Sequence, residues 1–388
     1  MSDDVAGFDD LDVGDLHRRL SEKWHRYPRD VLPSFVAEMD YPLAPPLRAA
    51  LEEVARLGDT GYAWPNAELA QSLSGFAAAR WGWSPPPDSV RLVPDVMVGV
   101  LESLRLLLRA GDGVIVNPPV YPPFFEHIAE AGCTVVESPL ARDVDGAYHL
   151  DLDGVERAFQ GGARAYLLCN PHNPTGTVPS RDHLLRVAEL AQRYDAYVIS
   201  DEIHAPLALA GATHVPYLSA GESAAERGVA LVSASKAWNV PGLKCAQLLA
   251  VSERMRAHVE RMPDAVLYRT GIVGIHASIA AYCDGGAWLD SLLGVLDRNR
   301  TLMSDLVLEL LPGVRYVPPR ATYLAWLDCT ALGIDGDLGG FFREHGGVAV
   351  LDGQAFGSGG EGFVRLTLGT SRQMLIDIIE RMSTALRK

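Results

Sequence analysis

Two lysines eight positions apart, Lys236 and Lys244, stand out in a chain that otherwise uses arginine for its positive charge. Of 34 basic residues only four are lysine, the other two being Lys23 and Lys388. A guanidinium stays protonated, so an amine kept where arginine is the rule points to a task that needs deprotonation. Lys236 lies in Ser233-Ala234-Ser235-Lys236-Ala237-Trp238-Asn239, which follows the apolar run 229–232; Pro241-Gly242-Leu243-Lys244 comes next. A partly desolvated amine there has a depressed pKa and can form a Schiff base with an aldehyde. The hydroxyls, Ser233 first, and Lys244 suit a phosphate. So do Val96 and Met97 if a helix starts after Pro94-Asp95, because exposed N–H groups at a helix start bind anions. Asn170-Pro171-His172-Asn173-Pro174-Thr175-Gly176 has the chemistry of a tight, irregular turn. Asp201 ends an apolar run in Ser200-Asp201-Glu202-Ile203-His204. Burial would raise its pKa unless a cation or a donor compensates, and a protonated pyridine nitrogen is one such cation; the alternative is a helix cap.

The elements that must position these residues are legible as alternating apolar runs and amphipathic stretches between about residues 90 and 250. Residues 114–116, 134–136, 165–168, 197–200 and 229–232 read as strands, and 122–131 and 181–193 as helices. Strands apolar throughout and separated by helices predict a mainly parallel sheet covered on both faces. Such sheets bind ligands at the carboxyl ends of their strands, where the singled-out residues fall. A helical pattern over 288–311 and strand-rich stretches at 313–328 and 346–369 predict a smaller α+β domain built from both termini. The expected division is residues 1–45 and 285–388 for the small domain and 46–284 for the large one.

Composition narrows the function. Hydrophobic content of 48% supports a sizeable core, and a net charge of −15 disfavours nucleic acid and anionic lipid as partners. No apolar stretch is long enough to span a membrane, and the acidic Met1-Ser2-Asp3-Asp4 start lacks a secretory layout, so a cytoplasmic location is expected. Cys133, Cys169, Cys245, Cys283 and Cys329 are odd in number and form no CxxC pair, which argues against disulfides and structural zinc. No metal site is expected. Gly357-Ser358-Gly359-Gly360-Glu361-Gly362 matches GxGxxG, but the strand-like residues 363–368 follow it, so a flexible loop is the better reading.

An aldehyde-reactive lysine, a phosphate cradle, a carboxylate for a pyridinium and Tyr121 placed to stack on a ring together describe pyridoxal 5'-phosphate. The chain resembles the fold-type I pyridoxal-phosphate enzymes of the class I/II aminotransferase family, with an α/β large domain and a small α+β domain. Within that family it is similar to the cystathionine β-lyase (C–S lyase) branch. Phe35-Val36-Ala37-Glu38-Met39-Asp40-Tyr41, Asp201-Glu202-Ile203-His204 and the Lys236 and Lys244 segment carry the likeness. Glu38, Trp238 and Thr367 depart from the branch's pattern and are expected on the substrate side. The resemblance implies that Lys236 bonds the cofactor aldehyde and moves the Cα proton. It implies that Asp201 pairs with the ring nitrogen, that Asn173 and His204 lie near the ring hydroxyl, and that Tyr121 stacks on the ring. Ser233, Lys244 and the backbone of Val96 and Met97 hold the phosphate, joined by Tyr62 from the neighbouring subunit of a homodimer. Arg365 clamps the carboxylate of an amino-acid substrate, with Asn173 and Tyr121 alongside. The implied reaction is β-elimination from cystathionine or a related cysteine S-conjugate. An aminotransferase, a secondary-metabolism lyase for a bulky S-conjugate and a cofactor-bearing regulator without catalysis remain alternatives.

Overall fold

A computed structural model describes residues 6–387, so Met1-Ser2-Asp3-Asp4 and Lys388 lie outside the described residues. Seven strands form the central sheet in the order Val90–Val93, Ala246–Leu249, Gly228–Val232, Tyr197–Asp201, Ala163–Cys169, Gly113–Val116 and Thr134–Glu137. Four successive pairings from Gly228–Val232 outward are parallel, while Ala246–Leu249 runs antiparallel to both of its neighbours. The inner strands are the apolar runs expected, and their side chains are buried on both faces. Thr134–Glu137 differs: at the sheet edge its Thr134 and Val135 face solvent. Val90–Val93 and Ala246–Leu249 were not singled out by periodicity. The second reads Ala-Gln-Leu-Leu, residues that favour helix until a sheet provides two partners.

Beyond Gly285, the helix Gly286–Leu310 leads to a four-stranded antiparallel sheet. Its order is Arg315–Tyr316, Leu324–Asp328, Phe363–Thr367 and Leu351–Asp352. Helices Leu338–Gly346 and Arg372–Leu386 contribute Phe342, Leu375 and Ile379 to the core under this sheet, and Leu16, Trp24 and Leu32 from the N-terminal stretch join them. The chain's start is tied here as well by strand Leu32–Pro33, which pairs in parallel with Val348–Ala349. Phe8, Met39 and Tyr41 instead enter the core beside the large sheet, so the N-terminal stretch is shared between both cores. Residues 357–362 form turns that lead into strand Phe363–Thr367.

Candidate active site

Strand ends converge on one cavity of about 200 Å³, lined by Val96, Met97, Tyr121, Asn173, Asp201, His204, Ser233, Lys236 and Lys244 among others. Nine of the predicted site residues are thus brought together from five separate segments. The helix Val96–Leu107 begins at its rim. Asp95 caps that helix by accepting from the Val98 N–H at 2.8 Å, which leaves the first N–H groups without intrahelical partners. The loop 170–176 leaves Cys169 through two cis Asn–Pro peptides. It closes on Gly176 at φ +68°, where a Cβ would collide with Pro319 and the Ala321 carbonyl.

Asp201 sits at the carboxyl end of its strand and is buried. Its Oδ1 accepts from the Ile203 N–H at 3.0 Å, and no cation lies within ion-pair distance among the described residues. Desolvation pushes its carboxyl up to about 7. Below it, Glu202 is also buried but is held by Ser200 Oγ at 2.9 Å, the Tyr217 N–H at 2.7 Å and His214 Nε2 at 3.2 Å, which fixes the strand end. The Lys236 amine lines the same cavity and donates to the Ala37 carbonyl at 2.8 Å. Desolvation, followed by the nearby Arg365 charge, lowers its pKa to about 8. His204 is buried with Nδ1 unpaired, and burial holds the imidazole neutral, its pKa well below the ordinary histidine range.

Arg365 projects from Phe363–Thr367 and is buried without a carboxylate partner among the described residues. It donates to Asn173 Oδ1 at 3.1 Å and to the Phe35 carbonyl at 2.9 Å, leaving Nε unpaired. Desolvation lowers it to about 10. It does not itself line the cavity and reaches it through Asn173.

Ala37, whose carbonyl also accepts from Tyr323 at 2.8 Å, belongs to a segment held from several sides. Asn239 accepts from the Met39 N–H at 2.9 Å and donates to the Met39 carbonyl at 2.7 Å. Lys23 and Asp40 form a wholly buried ion pair at 2.8 Å, and Trp24 Nε1 donates to the same Asp40 oxygen at 2.7 Å.

Ser233 Oγ donates its single proton to the Cys245 carbonyl at 2.7 Å, and Ser235, two residues on in the same motif, lines the cavity beside it. Trp238 is buried against Phe76 and Tyr282, Thr367 bonds locally to Gly369, and neither lines the cavity. A resemblance fixes a position in the chain, whereas the direction of a side chain depends on packing. Tyr62 is also away from the cavity, 83% exposed and edge-on to Tyr268.

The donor set fits pyridoxal phosphate in its particulars. A buried carboxylate without an ion-pair partner among the described residues suits a protonated ring nitrogen, the low-pKa amine suits an aldehyde, and helix N–H groups with Ser233, Ser235 and Lys244 suit a phosphate. Among the described residues no group of three or more His, Cys, Asp or Glu could hold a metal ion.

Comparison with known proteins agrees with this architecture. The chain is 46% identical over 97% of both sequences to a Mycobacterium leprae protein provisionally named cystathionine beta-lyase. It is 36% identical to the cystathionine beta-lyase of Corynebacterium glutamicum, covering 97% of this chain and 99% of that one. Cystalysin from Treponema denticola, whose structure contains pyridoxal 5'-phosphate, superposes with a TM-score of 0.90 at 27% identity, covering 95% of this chain and 96% of that one. Residues 95–382 match the family model for aminotransferase class I and II, and with these relatives that match shows that the chain belongs to the class I and II aminotransferase family.

Proposed function

We propose that the chain is a pyridoxal 5'-phosphate-dependent C–S β-lyase that cleaves cystathionine or a related cysteine S-conjugate to a thiol, pyruvate and ammonia. The observation that carries this reading is the buried Asp201, with no ion-pair partner among the described residues, sharing one cavity with the low-pKa amine of Lys236. When bound, the cofactor supplies an electrophilic aldehyde and a protonated ring that draws electron density from the substrate Cα. Asp201 holds the ring nitrogen, and that cation lets its carboxyl ionise despite burial. Tyr121 covers a ring face, while Asn173 and the neutral His204 flank the ring hydroxyl. The N–H groups of Val96 and Met97, with Lys244 and the Ser233–Ser235 turn, hold the phosphate. Arg365 and Asn173 receive the substrate α-carboxylate, a charge that the buried guanidinium lacks among the described residues.

Lys236 takes the Cα proton at Nζ. An amine with a pKa near 8 is unprotonated often enough at neutral pH to serve as a base, and the Ala37 carbonyl aims it. The Cα–H and Cβ–S bonds break, Cα and Cβ become doubly bonded, and the thiolate departs. Hydrolysis of the resulting aminoacrylate gives pyruvate and ammonia. The lyase names of the relatives at 46% and 36% identity favour elimination over transamination. The functional unit is a homodimer in which Tyr62 reaches the partner's phosphate. Its supports are the exposure of Tyr62, Trp64 and Tyr268 and the absence of Tyr62 from its own cavity.

The test is an assay of purified, cofactor-loaded protein on L-cystathionine without any keto acid. Sustained pyruvate and ammonia are expected, with a loss of at least ~10²-fold in Lys236→Ala. Turnover that appears only after a keto acid is added would instead make the protein an aminotransferase.

A further inference from the structure

The phosphate end of the cavity carries a charge that its helix does not require. Asp95 lines the cavity together with Lys244, and its Oδ2 lies 3.1 Å from the Lys244 amine while Oδ1 caps the Val98 N–H. Both side chains are open to solvent in part, Asp95 at 34% and Lys244 at 57%. Lys244 adopts φ +54° at the end of the turn Pro241–Leu243, and its carbonyl accepts from the Gly271 N–H at 2.7 Å. Of the charged side chains lining the cavity, Asp201 and Lys236 serve the ring and aldehyde in the reading above, which leaves Asp95 and Lys244 for the phosphate. Their formal charges cancel. Apart from the ~0.5 charge of the helix start, a phosphate with nearly two negative charges meets a cradle with no net positive side chain. Asparagine or serine would cap the helix as well as aspartate does, so capping alone does not account for the acid.

We propose that Asp95 is a built-in brake on cofactor retention: it competes with the phosphate for Lys244 and repels it, so that loading of the protein follows the supply of pyridoxal phosphate. This inference rests on the cofactor reading above. The opposite role, in which Asp95 holds Lys244 in place for the phosphate, predicts the opposite result.

The experiment titrates cofactor-free wild type, Asp95→Asn and Asp95→Ser with pyridoxal phosphate and, separately, with pyridoxal, which lacks the phosphate. Equilibrium dialysis reads the binding. Both substitutions keep a side-chain cap, so one remains informative if the other folds poorly. The expected result is pyridoxal phosphate bound tighter by roughly fivefold or more in the variants, the scale of one unit charge at ~4 Å in water, with pyridoxal unchanged. Unchanged or weaker binding of pyridoxal phosphate overturns the proposal, as does an equal gain for both ligands. Wild type that takes up neither ligand overturns the cofactor reading itself, and this inference with it.

Discussion

Asp201 and Lys236 each hold a proton equilibrium displaced by burial, and the displacement has a sign that melts of the cofactor-free protein can read. The Asp201 carboxyl titrates near 7 in the folded chain against 3.8 for an exposed carboxyl. Between those values the unfolded chain has released a proton that the folded chain keeps. Stability is therefore full below about pH 4 and declines as pH rises toward 7, by up to ~4 kcal/mol for three pH units. Asp201→Asn removes that decline. Its urea midpoint should exceed that of wild type at pH 7 and match it near pH 4, and equal midpoints at both pH values would refute the displacement. Lys236 acts in the other direction: for an amine lowered from 10.5 to about 8, stability is lost as pH falls from about 10.5 to about 8. At this scale the sequence shows most where chemistry needs a particular side chain: a rare lysine, an acid ending an apolar run and an asparagine between prolines. It is silent on Ala37, because a main-chain carbonyl has the same chemistry in every residue. Ser235 has a signal, a hydroxyl beside Lys236, but the sequence does not say that Ser233 donates to the Cys245 carbonyl.

Among the elements, the stretch 37–41 matters because it holds the Ala37 carbonyl against the Lys236 amine. Its anchor is the buried Lys23–Asp40 pair, strengthened by the Trp24 N–H. Removing one partner strands a charge in the core, so Lys23→Met should cost ~3–5 kcal/mol in urea unfolding, and adding Asp40→Asn should restore part of the loss. A double variant no more stable than the single would mean that the pair is not the anchor. The parallel strands were readable because burial on both faces forces continuous Val, Ile and Leu. Two strands carry no clear periodic signal for physical reasons: Ala246–Leu249 is made of helix formers, and Val90–Val93 is only four residues long. Thr134–Glu137 looked like an inner strand in sequence, yet it lies at the edge, because sheet order is set by crossovers that periodicity does not encode.

For the whole molecule, the proposed dimer, with Tyr62, Trp64 and Tyr268 exposed on one chain, predicts that light scattering gives twice the 41.9 kDa of one chain. A stable species at the mass of a single chain would remove Tyr62 from the site. Unlike the antiparallel pairing of the C-terminal strands, the α/β class of the large domain and the strand-rich character of residues 313–328 and 346–369 are legible in the order of apolar runs. The sharing of the N-terminal stretch between two cores is not, since both cores accept the same apolar residues. Arginine's near-monopoly on positive charge also has a practical outcome. Every described lysine is engaged: Lys23 in the core, Lys236 in the cavity and Lys244 at its rim. A protease that cuts after lysine would therefore release the octapeptide 237–244 in a very sparse digest. Reductive capture of an aldehyde on Lys236 would block one of its two boundary cuts, so the missing octapeptide would report occupancy of the site from a single mass spectrum.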